Sequence, residues 1–110
     1  MSGGDGYDRI YGRGGDDLLM GDGHSDALYG GTGSATLQGG EGHDVLYGGA
    51  NNDFLYGNSG RDTLYGEGGD DLLDGGFDGY NERLFGGVGR DKFIRHLRRF
   101  PFRIEDVAMD

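Results

Sequence analysis

The chain has 110 residues, enough for one domain at most, and 27 of them are glycine against a single proline, no tryptophan and no cysteine. Its formal net charge is −10, split unevenly: residues 1–82 hold 16 acidic and three basic side chains, residues 83–110 four acidic and seven basic. So acidic a body repels phosphate backbones and attracts cations, the absence of cysteine removes disulfides and thiolate zinc sites, and no apolar run approaches the roughly 18 residues of a membrane span.

Met1 is followed by no apolar signal-peptide core. From Gly3 the chain repeats every nine residues, and the unit is numbered here from one to nine. Position one is glycine in ten units: Gly3, Gly12, Gly21, Gly30, Gly39, Gly48, Gly57, Gly66, Gly75 and Gly86. Position eight is apolar in all ten, from Ile10 through Leu19, Leu28, Leu37, Leu46, Leu55, Leu64, Leu73 and Leu84 to Phe93. Position six is aspartate in eight, namely Asp8, Asp17, Asp26, Asp44, Asp53, Asp62, Asp71 and Asp91, with Ala35 and Glu82 as exceptions. The register slips once, by two extra residues between Gly75 and Leu84.

Periodic glycine means turns at fixed intervals, not a flexible linker. Six residues of each unit are read as a turn and three as a short strand, in which only position eight points inward because strand side chains alternate faces. Glycines at positions one, two and four are expected to supply positive φ. Stacked strands lie about 4.7–4.9 Å apart and Ca²⁺ takes oxygen ligands at about 2.3–2.6 Å, so an ion between two stacked turns reaches both.

The clearest unit, Gly39-Gly40-Glu41-Gly42-His43-Asp44-Val45-Leu46-Tyr47, follows the pattern G-G-x-G-x-D-x-U-x with U a large apolar residue. On this motif residues 3–94 resemble the repeats-in-toxin (RTX) modules of secreted bacterial proteases, lipases, epimerases, adhesins and cytolysins. The resemblance implies an all-β fold, a right-handed parallel β-roll in which two nonapeptides make one coil. It also implies Ca²⁺ held by backbone carbonyls plus the position-six aspartates Asp8, Asp17, Asp26, Asp44, Asp53, Asp62, Asp71 and Asp91, about five to eight ions in all. Ten apolar side chains and a self-repelling chain would leave the metal-free form disordered, so metal binding becomes folding energy. The family's usage then implies an extracellular bacterial module, exported unfolded through a one-step channel. It folds outside, supports a fused effector domain and catalyses nothing itself.

Units alternate between two edges of such a roll, so turns 18 residues apart are stacked neighbours. Both carboxylates are present for Asp8 with Asp26, Asp26 with Asp44, Asp44 with Asp62, Asp53 with Asp71, and Asp71 with Asp91. Ala35 should weaken the sites shared with Asp17 and Asp53, and the insertion around Asp78 to Tyr80 leaves the pairing of Asp62 with Glu82 open.

Position nine of alternate units reads Tyr11, Tyr29, Tyr47, Tyr65 and Phe85, an expected aromatic ladder on one outer face; the other face carries Leu18, Phe54 and Leu72. Cross-strand stacking accounts for the ladder, with self-association through Tyr11, Tyr29, Tyr47 and Tyr65 as the alternative. Residues 95–110 leave the repeat, are basic and aromatic at their start, and are read as a C-terminal cap on the last coil, with membrane contact or part of a C-terminal secretion signal as the alternatives. His24, Ser25 and Asp26 are adjacent in one turn and cannot form a hydrolytic relay. His43 and His96 are read as solvent-facing. An ice-binding roll would repeat threonine and asparagine at positions three and five, where only Thr32 and Asn52 occur. The chain as the tail of a secreted enzyme, or as an adhesive repeat surface, remains the alternative reading.

Overall fold

The computed structural model describes residues 2–76 and 82–94 and, as backbone, the strand Ile104–Ala108. Among the described residues there are strands and no helix: β1 (Arg9–Tyr11), β2 (Leu18–Met20), β3 (Ala27–Tyr29), β4 (Thr36–Gly40), β5 (Val45–Tyr47), β6 (Phe54–Asn58), β7 (Thr63–Tyr65), β8 (Leu72–Asp74), β9 (Glu82–Gly87), β10 (Lys92–Ile94) and β11 (Ile104–Ala108). No helix long and apolar enough to cross a membrane occurs among them.

Successive strands go to opposite sheets. One sheet runs β1-β3-β5-β7-β9-β11 and the other β10-β8-β6-β4-β2, all parallel. This is a parallel β-roll with an 18-residue coil: Ile10 pairs with Leu28, Leu28 with Leu46 and Leu46 with Leu64. On the other sheet Leu19 pairs with Leu37, Leu37 with Leu55 and Leu55 with Leu73. Each three-residue strand offers the interior one side chain, so the core is a double row of leucines, all fully buried from Leu19 to Leu84. At the ends Ile10 keeps 7% exposure and Phe93 is partly buried.

The turns stack by backbone bonds as well. The position-three N–H donates to the position-two carbonyl one coil earlier, as from Thr32 to Arg13 at 2.7 Å and Glu41 to Asp22 at 2.8 Å. Positive φ falls at positions two and four, and not at position one as the composition led one to expect. Position two accepts it even without glycine, at Arg13 (φ 71°), Asp22 (75°), Asn58 (70°) and Glu67 (72°), and position four at His24 (67°) and Asn51 (73°). Asn, Asp and His adopt this region more readily than other side chains, but a left-handed Arg or Glu costs about 1–2 kcal/mol, so the stacking imposes the turn on Arg13 and Glu67 against their own preference.

The two-residue insertion does not break the ladder: Thr63, Leu64 and Tyr65 of β7 pair with Arg83, Leu84 and Phe85 of β9. Strand β11 then runs along β9, with Ile104 opposite Glu82 and a register shift between Val107 and Ala108. The readings made for Asp78–Tyr80, His96 and residues 95–103 fall outside the described residues.

Candidate metal centre

Position six sits where the turn closes onto the strand, and its side chain points into the roll. Asp26, Asp44, Asp53, Asp62 and Asp71 are buried to 3% exposure or less, while Asp8, Asp17 and Asp91, in the end coils, are half-buried. Their stacking follows the 18-residue step. Asp26 Oδ1 accepts the backbone N–H of Asp8 at 2.8 Å, Asp44 that of Asp26 at 2.7 Å and Asp62 that of Asp44 at 2.8 Å. On the other edge Asp53 accepts from Ala35 at 2.7 Å, Asp71 from Asp53 at 2.8 Å and Asp91 from Asp71 at 2.9 Å.

In Asp26, Asp44, Asp53 and Asp71 Oδ1 is therefore engaged by the fold, and Oδ2 is not. In Asp8, Asp17, Asp26, Asp44, Asp53 and Asp71 the Oδ2 atom is shielded from solvent and accepts no hydrogen bond from the described residues. A buried, unmatched carboxylate oxygen repeated along both edges is costly unless a cation faces it.

The position-one glycines show what lies beside that oxygen. A β-carbon on Gly21 would stand 2.6 Å from Asp26 Oδ2 and 2.6 Å from the Gly39 carbonyl oxygen one coil on. On Gly12 it would stand 2.8 Å from both Asp17 Oδ2 and the Gly30 carbonyl, and on Gly66 it would lie 2.6 Å from Asp71 Oδ2 and 2.8 Å from the Gly86 carbonyl. Position one is glycine because two oxygens from adjacent coils crowd the same place, not because φ demands it. Oxygen-only donors, one charged and one a backbone carbonyl, match the hard-cation chemistry of Ca²⁺. Among the described residues no three His, Asp or Glu side chains cluster closely enough to chelate an ion alone.

Two positions depart from the row. Ala35 is fully buried in the place of an aspartate, and beside Gly30 only the Gly48 carbonyl remains, with the Ala35 methyl 3.0 Å from the notional β-carbon of Gly30. Glu82 is buried to 2% and occupies position six after the insertion, its chain packed beside Gly75. The sequence reading left its turn open because the slip in register hid it.

Without a cation the carboxylates resist ionisation. Burial pushes Asp44 and Asp53 up to about 6 and Asp71 to about 7, only partly offset by the backbone N–H each accepts; Asp26 rises for the same reason.

A second, outer row escaped the sequence reading. At position five, Asp16 accepts the Ser34 N–H at 2.9 Å, Ser25 the His43 N–H at 3.0 Å, His43 Nδ1 the Arg61 N–H at 3.1 Å, Asn52 the Asp70 N–H at 2.7 Å and Asp70 the Arg90 N–H at 2.7 Å. The shared property is an acceptor one or two bonds beyond Cβ, which a search for one residue type does not register. His43 is exposed and spent on this bond, and His24 rests beside Tyr7 with ring centroids 5.7 Å apart.

The roll, the inward carboxylates and the crowded glycines coincide with a family match. The model described as the RTX calcium-binding nonapeptide repeat (4 copies) matches residues 1–28, 29–64 and 47–79. The chain belongs to the RTX calcium-binding repeat family. A comparison with curated proteins gives no match. RTX repeats bind calcium, and the RTX roll is a structural module, not a catalytic fold.

Proposed function

We propose that this chain is an extracellular RTX module whose roll forms when Ca²⁺ enters the stacked turns, with Asp8, Asp17, Asp26, Asp44, Asp53, Asp62, Asp71 and Asp91 as carboxylate ligands. The row of buried Oδ2 atoms without hydrogen bonds, seen in six of these residues, carries the reading. Bound ions supply the charge that matches these oxygens; the glycine backbone leaves room and the carbonyls complete the shell. Five stacked pairs have two aspartates, and the pairs involving Ala35 and Glu82 bring the expected number to about five to eight ions. We assign no catalytic role to the chain.

Cytosolic calcium is scarce and extracellular calcium abundant, and extracellular modules bind at about 10⁻⁴–10⁻³ M. A chain that stays unfolded inside and folds outside suits export of a secreted bacterial protein and stabilises whatever domain is fused to it. Residues 95–110 act as the C-terminal cap of the 3–94 roll, a reading supported by β11 lying along β9. Circular dichroism with and without a chelator tests the central claim. Calcium should convert a disordered spectrum to β structure and magnesium should substitute poorly, because it demands shorter bonds and a stricter octahedron. A chelated chain already rich in strand at neutral pH would overturn it.

A further inference from the structure

The outer face of the β1-β3-β5-β7-β9 sheet carries the expected aromatic ladder, its rings stacked at about the 4.7–4.9 Å spacing of neighbouring strands. Tyr11 and Tyr29 stack with ring centroids 4.7 Å apart and planes 7° from parallel, Tyr29 and Tyr47 at 4.8 Å and 1°, and Tyr47 and Tyr65 at 5.0 Å and 7°. Phe85 closes the stack at 5.0 Å from Tyr65. The strands hold these rings in register, so each phenol has a second phenol in the same orientation as its nearest aromatic neighbour.

We propose that this stack is an oxidative modification site at which neighbouring tyrosines couple to dityrosine, Tyr11 with Tyr29 foremost. A one-electron oxidant, such as a peroxidase working on hydrogen peroxide, removes one electron from each of two phenols, and each phenol releases its proton to solvent. The two tyrosyl radicals join through ring carbons ortho to oxygen. The hydrogen on each of those carbons is lost from the ring as the phenol re-forms, so two electrons and two protons leave in total and reduce one peroxide to two waters. Tyr11 is the entry point, being 48% exposed on the edge strand β1, which has a neighbour on one side only. A stacked neighbour also lets a radical formed at one ring pass along the row before it couples, and Phe85, with no phenol to oxidise, ends it. The product ties coils 18 residues apart, a covalent staple in a chain that has no cysteine.

The proposal rests on the folded roll and not on which ion fills it. Folded protein, verified by circular dichroism, is treated with peroxidase and peroxide beside a urea-denatured sample. The expected result is dityrosine fluorescence in the folded sample, a monomer mass short of two hydrogen atoms, and a cross-linked peptide containing Tyr11 and Tyr29. Tyr29→Phe should abolish that peptide and leave coupling only between Tyr47 and Tyr65, whereas Tyr7→Phe should change nothing. Tyr7 is 81% exposed and outside the stack, which makes it the control for exposure. Links dominated by Tyr7, links mainly between molecules, or equal intramolecular yield in urea would each overturn the assignment.

Discussion

Asp26 and Asp44 are bound to each other across one coil: Asp44 Oδ1 accepts the Asp26 backbone N–H at 2.7 Å, and both side chains are at most 3% exposed. Each carboxylate therefore positions the turn before it, and a ligand change in one turn is felt in the next. Burial raises the cost of ionising both groups, and the negative charge of Asp26 adds to it at Asp44. Burial above all makes the metal-free roll sensitive to pH.

Acid should partly replace calcium. Asp44 and Asp53 titrate near 6 and Asp71 near 7 in the metal-free fold, above the value of about 4 expected in an unfolded chain. A raised folded pKa in an acid stabilises the fold below the unfolded pKa, and this contribution is lost as pH rises through the folded value. In chelator, the contribution of these carboxyls should thus be greatest at about pH 4 and below, and strand content should fall away between about pH 4 and 7. Circular dichroism with light scattering measures it, the scattering being needed because the sequence pI is about 4.5. With calcium present the direction reverses, since protons compete for the same oxygens, and the calcium midpoint should rise as pH falls below 7. Strand content in chelator that grows from pH 5 to pH 8 would contradict the buried-carboxylate picture.

Glycines at different positions of the unit should answer differently to alanine. Gly39→Ala puts a methyl 2.5 Å from Asp44 Oδ2, both overpacking the turn and filling the oxygen-lined space, so folding should need far more calcium or fail. Gly68→Ala, at position three, meets nothing within 4 Å and has no positive φ. It should be neutral or stabilise by up to about 1 kcal/mol through the unfolded chain. Calcium titrations of the two variants followed by circular dichroism make the comparison; equal behaviour would mean that position one is glycine for some reason other than crowding.

What the sequence made legible and what it hid follow from the same repeat. The leucine row was readable because one inward residue per strand leaves no alternative for position eight, and the position-six carboxylates because their spacing survives every unit but two. Glycine at position one was assigned the wrong cause, since a residue that avoids a clash looks the same in sequence as one that needs positive φ. Glu67 and Arg13 were unreadable as left-handed residues because their preference is overridden by the stacked backbone. The position-five acceptors were missed because Asp16, Ser25, His43 and Asn52 share a function and no residue type.

Removing residues 95–110 should expose the open side of β9, which β11 now covers. The truncated chain is expected to fold less cooperatively with calcium or to associate through that edge, because an unpaired parallel strand is a template for another. Titration by circular dichroism and size-exclusion chromatography with light scattering measure the two outcomes. A monomer with the same midpoint would assign the segment another role.

The gap in the aspartate row gives the most direct test of the stacking. Ala35 donates its N–H to Asp53 Oδ1 at 2.7 Å like any position-six residue, but offers no oxygen to the Asp17 N–H, where the other turns do. Its side chain lies in the buried row, with the Gly48 carbonyl close by Gly30 and no carboxylate to share that space. Ala35→Asp should restore both the acceptor for Asp17 and a charged ligand beside the Gly48 carbonyl. The calcium concentration needed for folding should therefore fall. Asp44→Ala should raise it, by removing the acceptor for Asp26, a charge-assisted bond worth about 1.5–3 kcal/mol, and the ligand oxygen shared with the turns of Asp26 and Asp62. By the same logic Ala35→Asp adds a buried charge, so in chelator at pH 7 it must destabilise the roll, and its benefit must appear only with calcium. Isothermal titration of both variants beside the parent reads stoichiometry and midpoint together. A parent-like stoichiometry and midpoint for Ala35→Asp would show that position six of this turn faces no ion.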